Sequence, residues 1–227
     1  MKQCLFCPYP KYREAFSAYL PAERDAGASI AGTGMLSAAT RLCAVLQQTR
    51  SKQNLAMHNR DITVIVGDVL DVAADVLIST ANPWLNMSGG VNGAIVEREP
   101  GVQSELRAHL ESIGESAIPA GSVVRTSAGS LPFSHIIHAV GIDPFYDSSH
   151  QLVTETLTAA FSLAVSLGAK SIAMPTLATG YGPMTIDEFA RAFVDAGLDR
   201  FPLDSVTIVV RSVENAATIN SVFAASR

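Results

Sequence analysis

Ser79-Thr80-Ala81-Asn82-Pro83-Trp84-Leu85-Asn86-Met87-Ser88-Gly89-Gly90-Val91-Asn92-Gly93-Ala94-Ile95 is the stretch on which the fold turns. It starts at the end of an apolar run, Val76-Leu77-Ile78-Ser79, passes a side-chain amide at Asn82, and feeds a glycine pair into a helix-like segment from Gly90 to Arg98. Two successive positions without Cβ let a ligand approach the backbone. The helix that follows aims free N–H groups and the positive end of its dipole at an anion. The Asn82 amide can bond the hydroxyls of a sugar. A Gly-Gly turn with Ser88 as helix cap is the plainer alternative.

Outward from this stretch, short apolar runs alternate with helical spacing. Ile62 to Val66, Val76 to Ser79, Ser122 to Thr126, His135 to Val140, Ser171 to Met174 and Ser205 to Val210 read as mostly buried strands. Gly90 to Arg98, Val102 to Ile113, His150 to Leu167, Ile186 to Ala196 and Glu214 to Ala225 read as helices. Such alternation specifies an α/β fold with a largely parallel sheet covered on both faces, and ligands sit beyond the carboxyl ends of its strands. Residues 1–60 differ in texture: Lys11 to Leu20 and Met35 to Gln48 show helical spacing around a Gly/Ala-rich stretch. The expected division is a helical N-terminal extension over 1–60 and one domain over 61–227.

Two more predicted strand ends carry residues that core packing does not require. Gly67-Asp68-Val69 places a carboxylate where it can accept from an exocyclic amine such as that of adenine, although Asp after Gly is also ordinary turn or N-cap chemistry. Pro175-Thr176-Leu177-Ala178-Thr179-Gly180-Tyr181-Gly182-Pro183 lies between a strand and a helix, and two glycines around a tyrosine suit a phosphate nest with a ring to cover a sugar. A tight strand-to-helix turn is the alternative there.

The chain resembles the macrodomain family, whose pattern runs through Gly-Asp-Ile-Thr, Asn-Ala-Ala-Asn, Gly-Gly-Gly-Val-x-Gly-Ala-Ile, Ile-His-x-Val-Gly-Pro and Ser-Thr-Gly-Ile-Tyr-Gly. The corresponding residues are Gly67-Asp68-Val69-Leu70, Ser79-Thr80-Ala81-Asn82, Ser88 to Ile95, Ile137-His138-Ala139-Val140-Gly141 and Ala178-Thr179-Gly180-Tyr181-Gly182. The resemblance covers about two-thirds of the chain, residues 61 to about 213, and implies a three-layer α/β/α domain with a mixed, largely parallel central sheet. It also implies an ADP-ribose site: Asp68 and Val69 at adenine, Asn82, Ser88, Gly89, Gly90 and Val91 around the distal ribose, and Ala178, Thr179, Gly180, Tyr181 and Gly182 about the diphosphate.

In the hydrolytic branch of that family the helix entry carries Asp, with His four residues on. This chain has Asn92 and Val96, and Ser79 replaces the first Asn of Asn-Ala-Ala-Asn. An amide can orient a water but cannot act as a general base. Some active members also lack that Asp and rely on the ligand's own phosphate. The third loop is one residue shorter than the family's, and Ile142 follows Gly141 where proline is usual. The resemblance thus implies either hydrolysis at the distal ribose, with Asn82 and Asn92 as candidate catalytic residues, or a non-catalytic reader of ADP-ribose. The ligand is ADP-ribose or an ADP-ribosylated substrate, and residues 1–60 are available to a protein partner.

Composition bounds these expectations. The 227 residues are 48% hydrophobic and 16% charged, enough for one large core. A net charge of -5 gives no basic surface for extended nucleic acid, whereas backbone N–H groups hold a diphosphate without cations. No apolar run approaches a membrane span of roughly 18 residues, and the first residues lack a secretion signal, so a cytoplasmic location is expected. Three cysteines fit a reducing compartment. Cys4-x-x-Cys7, with Cys43 and His58, lacks a second pair at finger spacing, and Gly32-Thr33-Gly34 lacks both a preceding strand and a third glycine. Neither a metal nor a cofactor is expected. His138 reads as a core histidine inside an apolar strand, Phe145 and Tyr146 as loop aromatics that close over a cleft or anchor their loop, and Glu97-Arg98-Glu99 as part of a solvated helix face.

Overall fold

The computed structural model describes residues 61–226. The helical extension expected over 1–60, with Cys4, Cys7, Gly32 to Gly34, Cys43 and His58, lies outside the described residues.

Six strands carry the domain: β1 (Asp61–Val66), β2 (Val76–Thr80), β3 (Val123–Ser127), β4 (His135–Ala139), β5 (Ser171–Met174) and β6 (Ser205–Val210). Their order across the sheet is β1-β6-β5-β2-β4-β3. All neighbours run parallel except β3, which pairs antiparallel with β4. Five helices complete the chain: α1 (Gly90–Arg98), α2 (Gly101–Ile113), α3 (His150–Ser166), α4 (Ile186–Asp195) and α5 (Val213–Ala225). Short 3-10 turns occupy Val69–Asp71 and Leu198–Arg200.

The apolar runs are continuous because both sheet faces are covered, and consecutive strand residues serve opposite layers. Ile78, Ile137, Ile172 and Ile208 pack with Phe161 of α3 and Phe189 and Phe193 of α4. Their sequence neighbours Leu77, Ile136, Ala173 and Val209 pack with Ile95 of α1 and Val102 and Leu106 of α2. The outcome is the three-layer α/β/α arrangement with a mixed, mostly parallel sheet.

Helix limits follow capping. Ser149 accepts from Leu152 N, Ser212 accepts from Asn215 N, and Gly114 takes the left-handed conformation after α2. Thr185 opens α4 with a reciprocal box: its Oγ accepts from Glu188 N at 3.2 Å, and Glu188 Oε2 accepts from Thr185 N at 2.8 Å. Thr185→Ala is expected to cost about 1 kcal/mol, read as a lower urea midpoint at unchanged slope. A midpoint equal to wild type would show that the box contributes nothing.

Glu97 and Arg98 are exposed, as expected of a solvated face, and the segment is also tied to distant loops. Arg98 reaches back to Asp68 and Asp71 at 3.1 and 3.2 Å, and Glu99 accepts from the backbone N and the hydroxyl of Ser130. These partners are some 30 residues away in sequence, beyond any helix-periodic reading. Among the described residues no helix is long and apolar enough to cross a membrane.

Candidate functional site

The loops that follow β1, β2, β4, β5 and β6 surround one cleft of about 540 Å³ at the carboxyl edge of the sheet. This is where parallel α/β sheets place ligands. The volume falls within the roughly 300–1,000 Å³ usual for small-molecule sites.

After β1, Gly67 N donates to Val210 O at 3.0 Å and ties the ends of β1 and β6 together. Asp68 then caps the following turn: Oδ1 accepts from Leu70 N at 3.0 Å, while Oδ2 accepts from Arg98 at 3.1 Å. Gly67 and Val69 line the cleft, and Asp68 is not among its lining residues.

The loop after β2 is held from several sides. Ala81 N donates to Ala139 O, Met87 N donates to the Gln103 side chain, and Gln103 Nε2 returns a bond to Leu85 O. Leu85 is buried with a left-handed backbone (φ 54°) that this scaffold enforces. The Asn82 amide is engaged at both ends, donating to Asn86 O at 3.0 Å and accepting from Asn86 N at 3.1 Å. One hydrogen and one lone pair remain for a ligand.

Gly89, with φ 65°, is the N-cap of α1, and no side chain caps this end. Ser88 therefore does not act as the cap, and the first N–H groups of α1 face the cleft edge without an intrahelical acceptor. Asn92 is buried in the first turn, where its Oδ1 accepts from Ser79 Oγ at 2.9 Å. The bond leaves its Nδ2 hydrogens as donors at the cleft wall.

In the loop after β5, Ala178 adopts φ 58° and its carbonyl accepts from Met184 N. Gly182 passes so near that a Cβ there would stand 2.6 Å from Ala178 O. Tyr181 is 76% exposed, and its hydroxyl lies 2.6 Å from where a Cβ on Gly89 would be, so this loop leans over the α1 entry. Thr176 and Thr179 hydroxyls bond at 2.6 Å.

Val69, Asn82, Ser88, Gly89, Gly90, Val91, Asn92, Ala178, Thr179, Gly180, Tyr181 and Gly182 are thus brought to one cleft; Asp68 stands just outside it. Sequence reasoning missed Arg211 and Asn215 at the junction of β6 and α5, which also line it. The signal was present, since Val210-Arg211-Ser212 is a further parallel-strand end running into a capped helix. Of the two loop aromatics, Tyr146 lines the cleft and Phe145 stands 89% exposed.

Among the described lining residues there is no Asp, Glu, His or Lys, and Arg211 is the one cation. What the cleft offers an anion is therefore backbone N–H groups, hydroxyls and the Arg211 guanidinium. His138 belongs to the core instead. It is fully buried, its Nε2 lies 3.0 Å from Thr126 Oγ1, and burial lowers its pKa to about 4. Among the described residues no three His, Cys, Asp or Glu side chains gather as a metal site.

The macro domain family model matches residues 78–193. The chain is 36% identical over 163 residues to an O-acetyl-ADP-ribose deacetylase of Klebsiella pneumoniae, covering 68% of this chain and 91% of that protein. It is 41% identical over 128 residues to a macro domain-containing protein of Listeria monocytogenes, covering 54% of this chain and 70% of the relative. The Oceanobacillus iheyensis macrodomain solved with ADP superposes with a TM-score of 0.67 at 25% identity, over 74% of this chain and 93% of that one. A family match across half the sequence, a relative aligned over more than two-thirds of it and the same three-layer fold lead to one conclusion: the chain belongs to the macro domain family.

Proposed function

We propose that the cleft binds ADP-ribose and that the protein hydrolyses a bond at the distal ribose, with O-acetyl-ADP-ribose, an ADP-ribosylated side chain or ADP-ribose 1''-phosphate as substrate. The observation that carries binding is the meeting of three loops on one cleft: Gly67 to Val69, Asn82 to Asn92 and Ala178 to Gly182. The uncapped start of α1 and the Ala178–Gly182 turn offer N–H groups to the diphosphate, and Asn82 keeps one donor and one acceptor for the distal ribose. Asp68 is assigned to the adenine amino group through the lone pairs that Leu70 and Arg98 leave open. The Klebsiella relative is named a deacetylase of this ligand class, and the Oceanobacillus neighbour was solved with ADP. On this reading the module spans 61–227, and residues 1–60 form a helical extension that contacts a protein partner.

For the acetyl ester the chemistry is short. Water attacks the carbonyl carbon, the bond from that carbon to the ribose oxygen breaks, and acetate, ADP-ribose and a proton leave. Asn92 Nδ2, its oxygen held by Ser79, orients the water, and the substrate's own diphosphate accepts the proton because no carboxylate or imidazole lines the cleft. The same lack of a general base favours the rival reading, a non-catalytic ADP-ribose reader.

Turnover of the three substrates separates the two. The enzyme reading expects Asn92→Ala to lower kcat about tenfold or more, with ADP-ribose affinity within about threefold, under 1 kcal/mol. A preparation that binds ADP-ribose yet leaves all three substrates intact would establish the reader.

A further inference from the structure

Three aromatic rings from three separate loops form a row at one lip of the cleft: Tyr146 and Tyr181 line it, and Trp84 stands against Tyr146 just outside the lining. Trp84 follows β2, Tyr146 follows β4 and Tyr181 follows β5. Ring centroids lie 6.2 Å apart for Trp84 and Tyr146 and 6.5 Å apart for Tyr146 and Tyr181, and the residues stay 37%, 45% and 76% exposed. Core packing does not require this row. Tyr146 has a left-handed backbone (φ 63°), and Asp143 Oδ1 holds the turn by accepting from the N–H groups of Phe145 and Asp147, each at 2.8 Å. Backbone strain braced in this way clusters at ligand sites.

The turn that carries Tyr146 is acidic. Asp143 and Asp147 belong to that turn, and no Lys, Arg or His occurs in residues 80–96, 141–149 or 175–185. The cleft's cation, Arg211, follows β6, which β5 and β2 separate from β4. Three strand spacings amount to about 14 Å. Arg211 therefore lines one side of the cleft and the tyrosine rings the other, with Asp143 and Asp147 in the turn behind Tyr146, outside the cleft lining. The aromatic end is the Asn82 and Gly89 end: Trp84 lies two residues beyond Asn82, and Tyr181 leans over Gly89.

We propose that this lip receives a guanidinium attached at the distal ribose, so that the preferred substrate is ADP-ribose carried on an arginine side chain. The proposal rests on the ADP-ribose reading of the cleft. A planar cation stacks on aromatic faces and is drawn to carboxylates. A nucleobase would stack on the same rings, but its phosphodiester backbone would meet two carboxylates and no cation.

The test uses the full chain and two ADP-ribosylated peptides with a hydrolysis-resistant triazole link at the distal ribose, one ending in a guanidinium and the other in the neutral, equally shaped urea. Calorimetry is expected to give about fivefold tighter binding for the guanidinium, roughly 1 kcal/mol. The emission of Trp84, the chain's one tryptophan, is expected to change with that ligand alone. Trp84→Ala and Tyr146→Gly should each reduce the preference below twofold, and glycine accepts the φ at 146 without strain. Free ADP-ribose, titrated alongside, reports whether the cleft is intact. If it binds while the two peptides bind equally, or the preference survives both variants, this proposal alone is overturned. If ADP-ribose does not bind, the functional reading falls and this proposal with it. An ADP-ribosylated thymine in an oligonucleotide that binds more tightly than the guanidinium peptide would also overturn it.

Discussion

Gly182→Ala is expected to weaken ADP-ribose binding between tenfold and a hundredfold, about 1.4 to 2.7 kcal/mol, while the protein stays folded. The new methyl would stand 2.6 Å from the Ala178 carbonyl oxygen and 3.0 Å from Ile142 Cγ2. A backbone oxygen cannot swing aside as a side chain can. Ala178 already holds φ 58°, and its carbonyl receives Met184 N at 3.2 Å, so relief requires opening the turn from Ala178 to Met184. That turn is the proposed diphosphate cradle. Gly180→Ala is the matching control, because a Cβ there meets nothing within 4 Å. It should leave the melting temperature unchanged and report only direct contact with ligand. Calorimetry on both variants decides the matter, and wild-type affinity in Gly182→Ala would contradict the role given to this turn.

A second large effect is expected from pH. His138 is buried in β4 and its pKa is lowered to about 4 by desolvation, against about 6.5 in the unfolded chain. Between those values the unfolded state binds the proton and the folded state does not. The contribution of the neutral ring is thus complete above pH 6.5 and is lost as pH falls towards 4, about 3 kcal/mol across the window. Asp75, Glu99, Asp187 and Glu188 also lose stability on acidification, but their folded pKa values lie below the usual carboxylate range. Their losses begin near pH 4 and continue downwards. Urea unfolding from pH 7 to 4.5 should therefore show a steep fall in wild type and a flatter one in His138→Asn. Parallel curves would mean that His138 titrates normally.

Element identities were legible because β2, β4, β5 and β6 are mostly covered on both faces, so runs such as Val76-Leu77-Ile78 carry no polar interruption, whereas β3 alternates buried and exposed residues and β1 is largely exposed. Ends were legible where a cap marks them, as at Ser149, Thr185 and Ser212. The antiparallel β3 was also deducible, since the connection from Ala128 to Ser134 is too short for a parallel crossover. Strand order was not, because it depends on which faces pack across the whole sheet. At the site, glycines and strand ends located the loops, but no local pattern says that both ends of the Asn82 amide return to Asn86 or that Ser79 takes the oxygen of Asn92. Those are rotamer choices set by packing. Arg98 on Asp68 and Arg211 at the cleft are contacts between distant segments, visible only once the sheet is assembled.

The most direct test of the central claim is a calorimetric titration of one preparation with ADP-ribose and with ADP. Asn82, Gly89 and Gly90 are assigned to the distal ribose, so ADP-ribose is predicted to bind at least tenfold more tightly, about 1.4 kcal/mol. Equal affinities, or tighter binding of ADP, would contradict an ADP-ribose cleft built from these three loops.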